Sequence, residues 1–227
     1  MKKHIPNVFT ILNLISGFLG ITFFISDFTD YLPYCIYISL TFDYLDGFAA
    51  RKFNLVSDFG KHLDSLVDLI SFGVLPSLLV FDWFHNYSSI QFLEYISIII
   101  IISSAIRLAK FNTYSAKSFD FIGLPTPANA LFFVSIFYST SYMSFFLNEL
   151  ILVILVIIFS LLMISNIKFY SLKFINYTFN DNMNKYIIIF GSFLGLFLLG
   201  IDGFPFIILY YIVYSIINYV FLKLNSK

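Results

Sequence analysis

Five aspartates fall between residues 42 and 73: Asp43, Asp46, Asp58, Asp64 and Asp68. The sequence around them is mostly Ile, Leu and Phe. On an ideal helix Asp43, Asp46, Gly47 and Ala50 lie within about 100° of one another, with Arg51 at the edge of that stripe. Gly60, Asp64 and Asp68 are spaced by four and form a second stripe. The link between the two segments is short, so both stripes can face one cavity. An aspartate at the centre of a membrane-spanning helix costs about 2.5–3.5 kcal/mol, and carboxylates facing one another add repulsion. Protonation is one remedy. A divalent cation is the other, and carboxylate oxygens suit Mg²⁺ or Mn²⁺. Asp43, Asp46, Asp64 and Asp68 could hold two such ions about 3.5–4 Å apart, a pair able to stabilise a diphosphate and its displacement. Gly47, Ala50 and Gly60 strip side chains from the cavity walls, so a bulky ligand can approach the backbone. Taken singly, small residues serve equally to let helices pack closely.

The elements that must position these residues follow from composition. The chain has 227 residues, 59% hydrophobic and 11% charged, with a mean hydropathy of +0.89. Soluble domains carry about 25% charged residues. Apolar runs predict spans at 8–26, 34–52, 59–81, 90–110, 126–143, 150–167, 186–201 and 206–222, each near the roughly 20 residues a bilayer requires. The expected fold class is all-α: a polytopic membrane helical bundle of about eight transmembrane helices. A polar connector starting at Lys168 separates a six-helix core, residues 1–167, from a C-terminal transmembrane hairpin within 168–227, whose turn is "DGFP" at 202–205. The N-terminus has basic residues before an apolar run. The run is long and lacks a small-residue cleavage site, so it reads as a retained first span.

Orientation follows from Lys and Arg. With the N-terminus in the cytoplasm and eight alternating spans, all 13 Lys and Arg fall inside. The opposite loops carry Asp27, Asp30, Asp82, His85, Glu149 and Asp202, and no Lys or Arg. The expectation is an integral protein of the cell membrane with both termini and the acidic cluster on the cytoplasmic side. Zero net charge argues against a nucleic acid polymer as partner. The single Cys35 excludes an intramolecular disulfide.

The pattern Asp43-x-x-Asp46-Gly47-x-x-Ala50-Arg51, eight residues, then Gly60-x-x-x-Asp64-x-x-x-Asp68 resembles the signature of the CDP-alcohol phosphotransferases. That resemblance implies a homodimeric helical membrane enzyme, in which an acceptor hydroxyl attacks the phosphate of a CDP-linked alcohol and CMP leaves. It implies Asp43, Asp46 and Asp64 as metal ligands and Asp68 as ligand and general base. It also places Gly47, Arg51 and Ser57 against the CDP-linked substrate, together with the segment around Asn7. "IPNVFTILNLISGFLGI", "DSLVDLISFGVLPS", "RLAKFN" and "FIGLPTPANA" further resemble the membrane-integral phosphatidylserine synthases. The likeness covers roughly the first 130 residues. It implies CDP-diacylglycerol as donor, L-serine as acceptor, and two divalent cations, Mg²⁺ or Mn²⁺. Where Lys110 stands the family usually has Arg; lysine keeps the charge and loses the bidentate fork.

Charge bears on the acceptor. Serine's carboxylate needs a cation, and Arg107 and Lys110 lie three apart on one helical face. Acceptors carrying their own phosphate, such as glycerol 3-phosphate or inositol phosphate, ask for a denser basic cluster than Arg107, Lys110 and Lys117. Inositol and choline stay open on charge grounds. Arg107 alone reads equally as a positive-inside anchor, and Asn7 and Asn13 as caps or packing contacts. Asp58 is expected to cap the third span, His62 to face solvent or headgroups, and Pro76 to kink that span. A divalent-cation transporter is the alternative of a different class. It would place its acids near the midplane of repeated halves, whereas these cluster toward one end and no repeat is evident.

Overall fold

A computed structural model describes residues 5–113, 121–138, 146–171 and 178–225. Lys117, Lys173 and the end of the fifth expected span, 139–143, lie outside the described residues. Helices occupy each expected span: α1 (Ile5–Ile25), α2 (Leu32–Lys52), α3 (Asp58–Asp68) continuing into α4 (Leu75–Tyr87), α5 (Ile98–Thr113), α6 (Thr126–Tyr138), α7 (Glu149–Ile164), α8 (Phe179–Leu199) and α9 (Phe204–Asn225). Among the described residues, four helical stretches can cross a membrane by length and composition: Ile5–Ile25, Asp58–Tyr87, Asn182–Leu199 and Phe204–Leu224. α2 is as long as α1 but carries Asp43, Asp46, Arg51 and Lys52. The molecule is a helical membrane protein.

α1 shows how such a chain packs. Its buried positions are Pro6, Thr10, Asn13, Ser16, Gly17 and Gly20, while Val8, Ile11, Ile15 and Phe18 face outward. In lipid no hydrophobic force drives helices together, so small and polar residues form the seams. α1 lies along α2, and Gly20 meets Leu75 and Cys35.

α3 and α4 form one helix joined by a π-helical turn, Leu69–Val74. Pro76 explains the turn. Its ring displaces the carbonyl four residues back, and the backbone relaxes into the wider spacing, with Leu75 N–H donating to the Ile70 carbonyl. The expected disturbance at Pro76 thus takes the form of a π turn on its N-terminal side, a feature frequent at functional sites.

Two short strands were not expected. Residues Phe121–Ile122 pair antiparallel with Lys168–Phe169, and Gly123 N–H donates to the Ile167 carbonyl at 2.9 Å. Gly123 adopts φ +77°, and a Cβ there would strike the Met163 carbonyl. These contacts strap the start of α6 to the end of α7. The C-terminal hairpin turns through Gly200–Gly203, and Ile208, Tyr211 and Ile212 of α9 join the core of Phe132, Phe133 and Phe159.

Candidate active site

The acidic residues sit where α2 ends and α3 begins. Phe53 N–H closes α2 on the Ala49 carbonyl. α3 starts at Ser57, whose hydroxyl accepts from Gly60 N–H at 3.0 Å. Ser57, not Asp58, is therefore the cap: its extended backbone turns the short hydroxyl toward the third residue's amide. Asp58 instead pairs with Lys61 at 3.3 Å on the exposed first turn.

The connection turns α3 back beside α2, and the two stripes converge. One carboxylate oxygen from each of Asp43, Asp64 and Asp68 lies within 4.8 Å of the others. Asp43 and Asp64 are half-buried, and Asp68 is buried. Ligand oxygens at about 2.0–2.6 Å from one cation lie up to roughly 4–5 Å apart, so the trio fits a hard divalent ion. Asp46 lies outside the trio. It is buried, and its Oδ2 accepts a hydrogen bond from Thr10 Oγ1 at 2.9 Å.

The glycines serve the site by letting side chains close in. A Cβ on Gly60 would lie 3.0 Å from Ser57 Oγ and 3.4 Å from Asn7 Oδ1. A Cβ on Gly47 would lie 3.2 Å from Arg51 Nη1, so the exposed guanidinium folds back over the first stripe. Asn7, Gly47, Ala50 and Gly60 are all half-buried.

Arg107 and Lys110 part company. Arg107 is only 6% exposed, Nη1 donates to Thr126 Oγ1 at 3.0 Å, and its charge acts on Asp68, Asp43 and Asp64. Among the described residues it is the buried cation of the cluster. Lys110 Nζ donates to the Ile164 carbonyl at 3.0 Å, on the last residue of α7. α3 is tied to α5 by Asn112 Nδ2, which donates to Ser65 Oγ at 3.0 Å.

Three polar residues that sequence reasoning did not place at the site support it: Thr10, Asn13 and Ser71. Asn13 is fully buried. Its Nδ2 donates to Asp68 Oδ1 at 3.4 Å, and its Oδ1 accepts from Ser71 Oγ at 2.8 Å. The signal available was the spacing of Thr10, Asn13 and Gly17 along one face of an apolar helix, where polar side chains point inward.

A description of the CDP-alcohol phosphatidyltransferases matches residues 3–163, which contain every residue of this cluster. The chain belongs to the CDP-alcohol phosphatidyltransferase family. It is similar to a protein of Methanocaldococcus jannaschii named CDP-diacylglycerol–serine O-phosphatidyltransferase, with 39% identity over 95% of this chain and 94% of that one. A Bacillus subtilis protein of the same name is 36% identical over 75% of this chain and 92% of its own length. An archaetidylserine synthase of Methanothermobacter thermautotrophicus is 34% identical over 73% and 69%. Membership makes the chain a transferase, and the acidic trio is a cluster able to hold a divalent metal.

Proposed function

We propose that this protein transfers the phosphatidyl group of CDP-diacylglycerol to the hydroxyl of L-serine, giving phosphatidylserine and CMP. The convergence of Asp43, Asp64 and Asp68 beside a buried arginine is the observation that carries the reading. Serine as acceptor draws support from the names of the relatives, which share serine while differing in the lipid.

Asp43, Asp46, Asp64 and Asp68 would hold two divalent cations, Mg²⁺ or Mn²⁺, which when bound neutralise the diphosphate and the leaving phosphate. Asp68 takes the proton from the serine hydroxyl. The serine oxygen forms a bond to the lipid-side phosphorus, and the bond from that phosphorus to the CMP oxygen breaks. Arg107 offers the one deeply buried cation near the trio among the described residues, and its guanidinium suits the serine carboxylate. Arg51, folded over Gly47, meets the nucleotide end of the donor, with Asn7, Ala50, Ser57 and Gly60 framing its path. The chemistry then rests on positioning and charge stabilisation.

The same reading takes the chain as a homodimer with eight spans, both termini and the site facing the cytoplasm of the cell membrane. The positive-inside distribution supports the orientation. The test is CMP release by purified protein with CDP-diacylglycerol and Mg²⁺ or Mn²⁺, offering serine, glycerol 3-phosphate, inositol phosphate or choline separately. Release driven by serine is expected. Release driven by another acceptor would overturn the substrate and keep the family. A CDP-linked ether lipid, run in parallel, decides between diacyl and archaeol-type donors.

A further inference from the structure

We infer that Asn13 is a positioning residue for Asp68 and that Ser71, in the π turn, fixes the orientation in which Asn13 does so. The inference rests on the reading of Asp68 as the base.

The chemistry of the three groups leaves one arrangement. An ionised carboxylate only accepts hydrogen bonds. The Asn13 carboxamide must therefore turn its NH₂ toward Asp68 Oδ1, which puts its own oxygen toward Ser71. A hydroxyl can donate or accept, and here it must donate, as the 2.8 Å contact from Ser71 Oγ to Asn13 Oδ1 requires. Asn13 and Ser71 are each 0% exposed, so each is satisfied by protein groups rather than by bulk water. The Asn13 backbone is held as well: its carbonyl accepts from Ser39 Oγ at 3.4 Å.

The surrounding sequence keeps this geometry. Gly17, one turn along α1 from Asn13, faces the Ser71 hydroxyl, and a methyl at Gly17 would collide with that oxygen. Ser71 lies three residues beyond Asp68, inside the turn that Pro76 forces open. Together these features aim one donor at one oxygen of Asp68 and leave the other oxygen for the acceptor proton. At 3.4 Å the Asn13–Asp68 bond is long; catalytic hydrogen bonds commonly tighten once substrate is bound.

Without Ser71, the carboxamide can flip and present its oxygen to the carboxylate. Without Asn13, Asp68 loses the amide donor at its Oδ1 and its rotamer is no longer held. Removing a partner that orients a liganding or catalytic group costs about 10–100-fold.

The test measures steady-state CMP release by full-length protein for Asn13→Ala, Ser71→Ala, the double variant, Gly17→Ala and Asp68→Asn. CDP binding is followed in parallel by thermal stabilisation. For Asn13→Ala the expected result is kcat lowered about 10–100-fold, with KM for both substrates and stabilisation by CDP within about twofold of wild type. Ser71→Ala and Gly17→Ala lower kcat in the same way. The double variant is no slower than Asn13→Ala, because Ser71 acts only through Asn13. A purely structural role would lower thermal stability and leave kcat of the folded fraction intact, and that result overturns the inference. So do multiplicative losses in the double variant, or wild-type kcat in Asn13→Ala when Asp68→Asn is inactive. Turnover retained by Asp68→Asn overturns the reading of the base instead. Should Asn13→Ala fail to fold, Ser71→Ala and Gly17→Ala carry the same kcat comparison.

Discussion

Lys110 separates two jobs that its position on α5 makes equally plausible, acceptor binding and helix capping. Its Nζ donates to the Ile164 carbonyl, the last of α7, at 3.0 Å. The last carbonyls of a helix have no intrahelical partner, and a cation there also meets the negative end of the helix dipole, worth about 0.3–1 kcal/mol. A hydrogen bond to a charged group contributes about 1.5–3 kcal/mol when well buried. Lys110 is only half-buried, so solvent screening brings the combined figure to about 1–2 kcal/mol. Lys110→Met keeps the aliphatic stem and removes the ammonium. A chain of this size loses about 2–4 °C per kcal/mol, so the expected fall in melting temperature in detergent is roughly 2–8 °C. The expected KM for serine stays within about twofold, since the contact lies at α7 rather than in the aspartate trio. Thermal unfolding and serine titration of one preparation check both numbers. An unchanged melting temperature with a tenfold rise in the serine KM would refute the capping assignment and return Lys110 to the acceptor.

Chelation should abolish CMP release, and either Mg²⁺ or Mn²⁺ should restore it; activity persisting after exhaustive dialysis against EDTA would remove the metal from the trio. Thr10→Val keeps the shape of the side chain but takes the donor from buried Asp46. It should raise the Mn²⁺ concentration giving half-maximal rate about 10–100-fold, read from a metal titration. Gly123→Ala sets a side chain at φ +77° against the Met163 carbonyl and should cost more than the roughly 1–2 kcal/mol of the left-handed backbone alone. Its measure is the loss of the monodisperse peak in fluorescence-detected size exclusion.

Much of the site is legible in the sequence because helical geometry is local. Spacings of three and four put Asp43 with Asp46, and Gly60 with Asp64 and Asp68, on single faces whatever the rest of the fold does. Apolar runs mark the helices for the same reason: each run must satisfy its backbone within itself in lipid. Asp58 and Ser57 show the limit of such reading. Both are good caps by type, and one residue of register decides between them.

What the tertiary structure decided is which faces meet. Asp46 and Asp43 share a stripe, yet only Asp43 joins Asp64 and Asp68, while Asp46 turns to Thr10 of α1. Arg107 and Lys110 share a face, yet one enters the cluster and the other closes α7. Asn13 and Ser71 are 58 residues apart and touch. No local periodicity encodes these outcomes, because contact between helices depends on their crossing and on where glycines let them approach, and those are properties of pairs of helices.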